Sequence, residues 1–103
     1  MQTEFESENL DVTPALRQYV EEKLGKISRR WDDRITRVRV FLKDTNSTKG
    51  GVDKQCTMEA RLAGIDPVVA ETTAGDAYEA VDLNVDKLIR ALEHATKSRR
   101  HGG

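Results

Sequence analysis

Thr36-Arg-Val-Arg-Val-Phe-Leu-Lys43 and, after a polar interval, Gln55-Cys-Thr-Met-Glu-Ala-Arg-Leu62 decide the fold of this chain. In the first stretch Thr36, Val38, Val40 and Leu42 alternate with Arg37, Arg39, Phe41 and Lys43. In the second, Cys56, Met58, Ala60 and Leu62 alternate with Gln55, Thr57, Glu59 and Arg61. A period of two marks a strand with one buried and one wet face. The interval 44–53, Asp-Thr-Asn-Ser-Thr-Lys-Gly-Gly-Val-Asp, has turn-forming composition and reads as a mobile loop, so the two stretches form a hairpin. Whatever covers the apolar face must come from one side.

Working outward, residues 2–8 read as a short strand with Thr3, Phe5 and Ser7 on one face and Gln2, Glu4 and Glu6 on the other. Asn9 to Val12 turn the chain. Thr13-Pro14 then supplies a hydroxyl cap followed by proline at the first helical position. Leu16, Val20, Leu24, Ile27 and Trp31 recur at threes and fours, one apolar stripe, and Trp31-Asp32-Asp33 closes the helix. Beyond the hairpin, Gly64 to Pro67 make a tight turn and Val68, Ala70 and Thr72 form a fourth strand. Thr73 with Asp76 resembles a capping box, with Asp in place of Glu. The second helix carries Val81, Val85, Leu88, Leu92 and Ala95 at helical spacing. The expected order is β-α-β-β-β-α: an α+β fold with a four-stranded, mainly antiparallel sheet and two helices packed on one face. Residues 1–97 read as a single domain, and 98–103, Ser-Arg-Arg-His-Gly-Gly, as a flexible basic tail.

The 103 residues suffice for one hydrophobic core. With 34% charged and 37% hydrophobic residues, that core is economical. No apolar run approaches the roughly 20 residues of a membrane helix. The first residues lack the basic and apolar blocks of a signal peptide. A lone cysteine, Cys56, forbids an internal disulfide and fits a reducing cytoplasm. Cys56 lies in line with Met58 and Leu62 and reads as core, as does Trp31, while Tyr19 and Tyr78 read as packing residues. One cysteine and two distant histidines, His94 and His101, make a poor metal set. With no nucleophile motif and no phosphate loop, the expectation is a non-enzyme, monomeric by itself, without cofactor or small-molecule substrate.

Charge is unevenly distributed along the chain. The first eleven residues hold Glu4, Glu6, Glu8 and Asp11 and no base. From Lys87 onward Lys87, Arg90, Lys97, Arg99 and Arg100 face Glu93 alone, within a net charge of -1. Lys87, Arg90, His94 and Lys97 are spaced three, four and three, one continuous row on the second helix. That row stands about 200° from the apolar row, so it points away from the sheet. Lys23, Lys26 and Arg30 make a second row flanking the buried stripe of the first helix. If the helices lie side by side, the two rows bound one basic surface. Such a surface suits RNA, whose phosphates take cations from a rigid helix without reading sequence. The same pattern also fits a plain solvated helix with a basic end, a binder of other structured RNA, or a protein-interaction module that uses the open sheet face or a helix without RNA.

Three stretches break that tie: Thr13-Pro-Ala-Leu-Arg-Gln-Tyr-Val20 with Lys23-Leu-Gly-Lys26-Ile27; Ile35-Thr-Arg-Val-Arg-Val-Phe-Leu42; and Asp76-Ala-Tyr-Glu-Ala-Val-Asp82 running into Asp86-Lys87-Leu-Ile-Arg90. In this order the chain resembles the ribosome hibernation-promoting factors, also called ribosomal subunit-interface or sigma-modulation proteins, with 53–64 similar to a divergent branch. The resemblance implies a fold similar to a double-stranded-RNA-binding domain. It also implies docking on small-subunit ribosomal RNA in the decoding channel, where the bound protein occludes tRNA and mRNA. Family basic positions fall on Lys23, Lys26, Lys87 and Arg90, with Arg17 and Lys97 as additions. The row positions Arg30 and His94 complete the candidate set. Two positions depart from the family. His94 stands where a lysine is usual, and histidine is mostly uncharged near neutral pH. Asn84 stands where an inward leucine is usual, and the sequence offers it no partner. Leu83 falls among the cations of the second row. Ending at Gly103, the chain reads as a short form or an N-terminal domain of a long one.

Overall fold

Alternation at Val38, Val40 and Leu42 meets alternation at Cys56, Met58 and Ala60 as a tight antiparallel pair. Val40 lies opposite Met58, and Leu42 opposite Cys56. The computed structural model describes residues 1–46 and 51–102, with side chains as far as Lys97. Its elements are β1 (Gln2–Glu8), α1 (Pro14–Trp31), β2 (Ile35–Asp44), β3 (Lys54–Leu62), β4 (Val68–Ala74) and α2 (Ala77–Gly102). They form one four-stranded sheet in the order β1-β2-β3-β4. β1 pairs with β2 in parallel, and the other two pairs are antiparallel. The mixed sheet follows from connectivity: α1 carries the chain back between β1 and β2, which therefore run the same way. Residues 47–50 of the expected loop lie outside the described residues. Of the expected tail, the α2 backbone is helical through Gly102, while the side chains from Ser98 onward lie outside the description.

Each helix begins where its sequence supplies a cap. Thr13 Oγ1 accepts from the Leu16 amide at 3.1 Å, with Pro14 opening α1. At α2 the cap is Asp76 itself, whose Oδ1 accepts from the Tyr78 and Glu79 amides at 2.7 and 3.1 Å. Thr73, the other half of the expected capping box, lies instead inside β4 opposite Gln55. The carboxylate reaches both amides alone, so no hydroxyl three residues earlier is needed.

The core is the α1 stripe, the inward residues of β2, β3 and β4, and Ala80, Val81, Val85, Leu88 and Leu92 of α2. One inward assignment changes. A β-bulge separates Ile35 from Arg37, so Ile35 is buried while Thr36 turns out and donates its hydroxyl to the Arg61 carbonyl. The extra residue shifts the alternation by one, a shift a strict period of two does not anticipate.

Asn84 is fully buried and fully engaged. Its Oδ1 accepts from the Thr72 hydroxyl at 2.9 Å, and its Nδ2 donates to the Ala70 carbonyl at 3.1 Å and to Cys56 Sγ at 3.6 Å. The amide therefore ties α2 to β3 and β4 through the core. Burial pushes the Cys56 thiol up to about 12, against a smaller opposing pull from the Asn84 hydrogen bond.

Candidate nucleic-acid interface

The helices lie side by side and run in the same direction. Tyr19 reaches Asp82 and Arg30 reaches Glu93, both contacts spanning the same separation of 63 residues. Parallel alignment follows from the topology. Each helix returns antiparallel to the strand before it, and β1 and β4 point the same way. Both C-terminal halves therefore lie at one end of the molecule.

Along the seam between the helices the charges are paired. The Tyr19 hydroxyl donates to both carboxylate oxygens of Asp82 at 2.7 Å, and Lys23 Nζ stands 3.4 Å from Asp82 Oδ1. Hydrogen bonding to Asp82, then its charge, raises the Lys23 pKa above the ordinary lysine value. Tyr19's own hydrogen bond to Asp82 is the main reason the Tyr19 pKa is raised. Tyr19 also packs edge-on against Tyr78 at 4.9 Å, with Tyr78 41% exposed. Further along, Arg30 pairs with Glu93 at 3.0 Å and lies over the Trp31 ring at 4.2 Å. Trp31 is a core anchor, 6% exposed, so it offers no face to a base.

Lys26, Arg90, His94 and Lys97 are all exposed on the outer side of the helix pair. Among the described residues Lys26, Arg90 and Lys97 form no ion pair. Lys87 is also exposed, but it lies toward the sheet edge, with Nζ donating to the Glu71 carbonyl of β4 at 2.8 Å. That acceptor is uncharged, so the lysine keeps its full electrostatic reach. Arg17 does not join this surface. It lies about 120° around α1 from Lys23 at 3.6 residues per turn. There it stacks on the Phe5 ring of β1 at 4.5 Å, on the flank away from α2. Leu83 is 47% exposed beside the α2 row, as its position on the wheel requires.

The opposite face of the sheet is built differently. Glu4 pairs with Arg37 and Arg39, Glu6 with Arg39, and Glu8 with Lys43. The acidic N-terminal segment thus neutralises the basic residues of β2. Glu59, expected to face water, is half-buried there, with its Oε1 3.5 Å from Arg61 Nε. A shallow depression of about 240 Å³ lies between Arg39, Phe41, Glu59 and Val69. Among the described residues no group of His, Cys, Asp and Glu could hold a metal ion, and no helix is long and apolar enough to cross a membrane. Lys26, Arg90 and Lys97 thus stand unpaired on the helical side among the described residues, beside the paired seam, while the bases of β2 on the open sheet face are matched by acids of β1. Sequence spacing found the rows, but not Asp82 and Glu93, because the pairing residues lie some sixty positions away.

The fold and these exposed cations define a class: a small α+β domain with a parallel helix pair that carries unpaired Lys26, Arg90 and Lys97 on its outer side among the described residues. The chain belongs to the family described as Sigma 54 modulation protein / S30EA ribosomal protein, whose model matches residues 3–100. It is 39% identical over 92 residues to the ribosome hibernation promoting factor of Azotobacter vinelandii, covering 89% of this chain and 79% of the relative. To the Escherichia coli ribosome hibernation promoting factor it is 33% identical, covering 98% of this chain and all of that protein. Against the Bacillus subtilis ribosome hibernation promotion factor the identity is 36%, and the match spans about half of that relative, 51%. Among solved structures, a ribosomal subunit interface protein from Coxiella burnetii superposes with a TM-score of 0.80 at 25% identity, covering 94% of this chain and 99% of that one. The N-terminal domain of Thermus thermophilus Protein Y gives 0.70 at 28% identity, covering 88% and 96%.

Proposed function

We propose that this chain is a ribosome-associated hibernation factor of the cytoplasm. In this reading residues 1–97 form one domain whose helical face binds small-subunit ribosomal RNA in the decoding channel. The bound domain excludes tRNA and mRNA by occupying their place, without catalysis. The observation that carries the reading is the set of exposed, unpaired cations on the outer side of the parallel helix pair, in a chain whose relatives are named for ribosome hibernation. Lys26, Arg90 and Lys97 are the primary phosphate ligands, with Lys87 at the β4 margin. Lys23 and Arg30 join from the seam, and His94 contributes as a hydrogen-bonding neighbour. Arg17, on the far flank of α1, is outside this contact. Rigid helices present these cations without further ordering, and contacts of this kind position the protein by RNA shape and backbone.

Co-sedimentation tests this reading. The purified chain is expected to pellet with isolated small subunits at physiological magnesium and salt, and to be displaced by tRNA bound with mRNA. Failure to enrich with small subunits would remove the ribosome as target. Retained binding that tRNA and mRNA leave untouched would remove the decoding channel.

A further inference from the structure

Two of the cations expected to meet RNA are already paired across the seam, and their partners are held in place. Asp82 is the better fixed, because the Tyr19 hydroxyl donates to both of its oxygens at 2.7 Å while Lys23 Nζ stands at 3.4 Å. Tyr19 is itself buttressed edge-on by Tyr78 at 4.9 Å, and Lys23 Nζ lies 5.3 Å from the Tyr19 ring centroid. Lys23 is therefore a restrained ammonium with a carboxylate beside it, not a free point charge on a flexible stem.

This arrangement changes what an approaching polyanion experiences. At a distance Lys23 and Asp82 sum to zero charge, so on the helical face, among the described residues, a flexible single strand gains attraction from the unpaired cations Lys26, Arg29, Arg90 and Lys97 and from Lys87 rather than from Lys23. To use Lys23, a phosphate must be brought over the seam against the Asp82 charge. A strand that bends freely gains nothing by going there, whereas a rigid RNA surface already anchored along the outer row carries its phosphates to fixed places. Resting on the RNA-binding role proposed above, we infer that Asp82, held by Tyr19, is a specificity-determining residue: it masks Lys23 from unstructured RNA and reserves it for a structured target.

The test uses the full chain and two probes, poly(U) and isolated small subunits, with affinities measured across a salt series. Asp82→Asn is expected to raise poly(U) affinity roughly fivefold at low salt, the effect of one uncovered charge in water. It should also steepen the log–log salt slope by about 0.7, one further phosphate neutralised on a single strand. Small-subunit affinity should rise less than twofold, so the ratio of subunit to poly(U) affinity falls. Lys23→Gln added to Asp82→Asn should return the poly(U) slope to its starting value, because the released charge is then gone. Glu8→Gln adds the same net charge on the opposite face, where Glu8 pairs with Lys43, and should shift poly(U) affinity less than 1.5-fold. An unchanged poly(U) slope in Asp82→Asn, in protein that melts within a few degrees of the parent, overturns the inference. So does an equal gain from Glu8→Gln. If the slope steepens yet the parent chain does not bind small subunits, the ribosome reading falls and the masking role stands.

Discussion

Asn84 shows how much one side chain can mean when its partners are distant in sequence. Read alone, an amide at an inward helical position is a liability. In the fold it meets a hydroxyl, a carbonyl and a thiol from β4 and β3 and leaves none of its heavy polar atoms unengaged. Asn84→Ala should cost about 2 kcal/mol, since it strands the Thr72 and Ala70 groups in the core. The measurement is a lower urea midpoint with an unchanged slope. Cys56, on the other side of that amide, should resist alkylation in the native protein at pH 8 and react only on unfolding. The sign of its pH dependence follows from the raised pKa. Burial favours the neutral thiol, so its contribution is intact below the ordinary value of 9.0 and is lost as the pH climbs from there to about 12. A urea midpoint that fell on moving from pH 9 to pH 7 would contradict this. The inward setting of Cys56 was legible from its alternation with Met58 and Leu62. The partners of Asn84 were not, because no periodicity links position 84 to positions 56, 70 and 72.

At the scale of elements, the caps are local and were readable accordingly. Thr13→Ala should destabilise the protein by about 1 kcal/mol, and Asp76→Ala by a similar amount, each read as a lower unfolding midpoint. The start of α2 was correctly sensed but attributed to two residues when one carboxylate does the capping. The Ile35 bulge escaped the period-of-two reading for a related reason: an inserted residue shows itself only against the strand it pairs with. The relation between the helices is a third case. Two amphipathic stripes imply that both helices cover one face, but direction and offset emerge only once β1 and β2 are seen to pair in parallel. The seam is therefore tertiary throughout. Lys87 illustrates the consequence, since a residue on the exposed row also hydrogen-bonds the free margin of β4. Exposed strand margins invite pairing with other chains, and a lysine there discourages it. Lys87→Ala should consequently increase self-association at high concentration, detectable by sedimentation velocity, beyond any effect on RNA.

For the whole molecule, a net charge of -1 conceals two faces of different electrostatic character. Acids of β1 are consumed by the bases of β2 on the open sheet face, and the unpaired helical bases stand on the other side. Binding through the helical face should therefore be strongly salt-dependent despite the neutral total. With about five phosphates neutralised, the log–log slope should be near 4. Lys26→Glu with Arg90→Glu should weaken small-subunit binding at least a hundredfold while the melting temperature moves only a few degrees, since both side chains are exposed and unpaired among the described residues. Binding that survives this double reversal, or a slope below 1, would separate the helical face from the ribosome contact.

The sequence by itself determined the element order, the one-sided core, the start of the first helix and the two cationic rows, because each is written in spacings of two to four residues. Family membership was also visible there, in three stretches kept in order. Only the tertiary structure decided the parallel β1–β2 pairing, the direction of the helix pair, the partners of Asn84, the removal of Arg17 to the far flank and the pairing of Lys23 and Arg30 with acids of α2. Each of these is a contact between residues far apart along the chain. Local pattern says which way a side chain points, and only the assembled layers say what it meets.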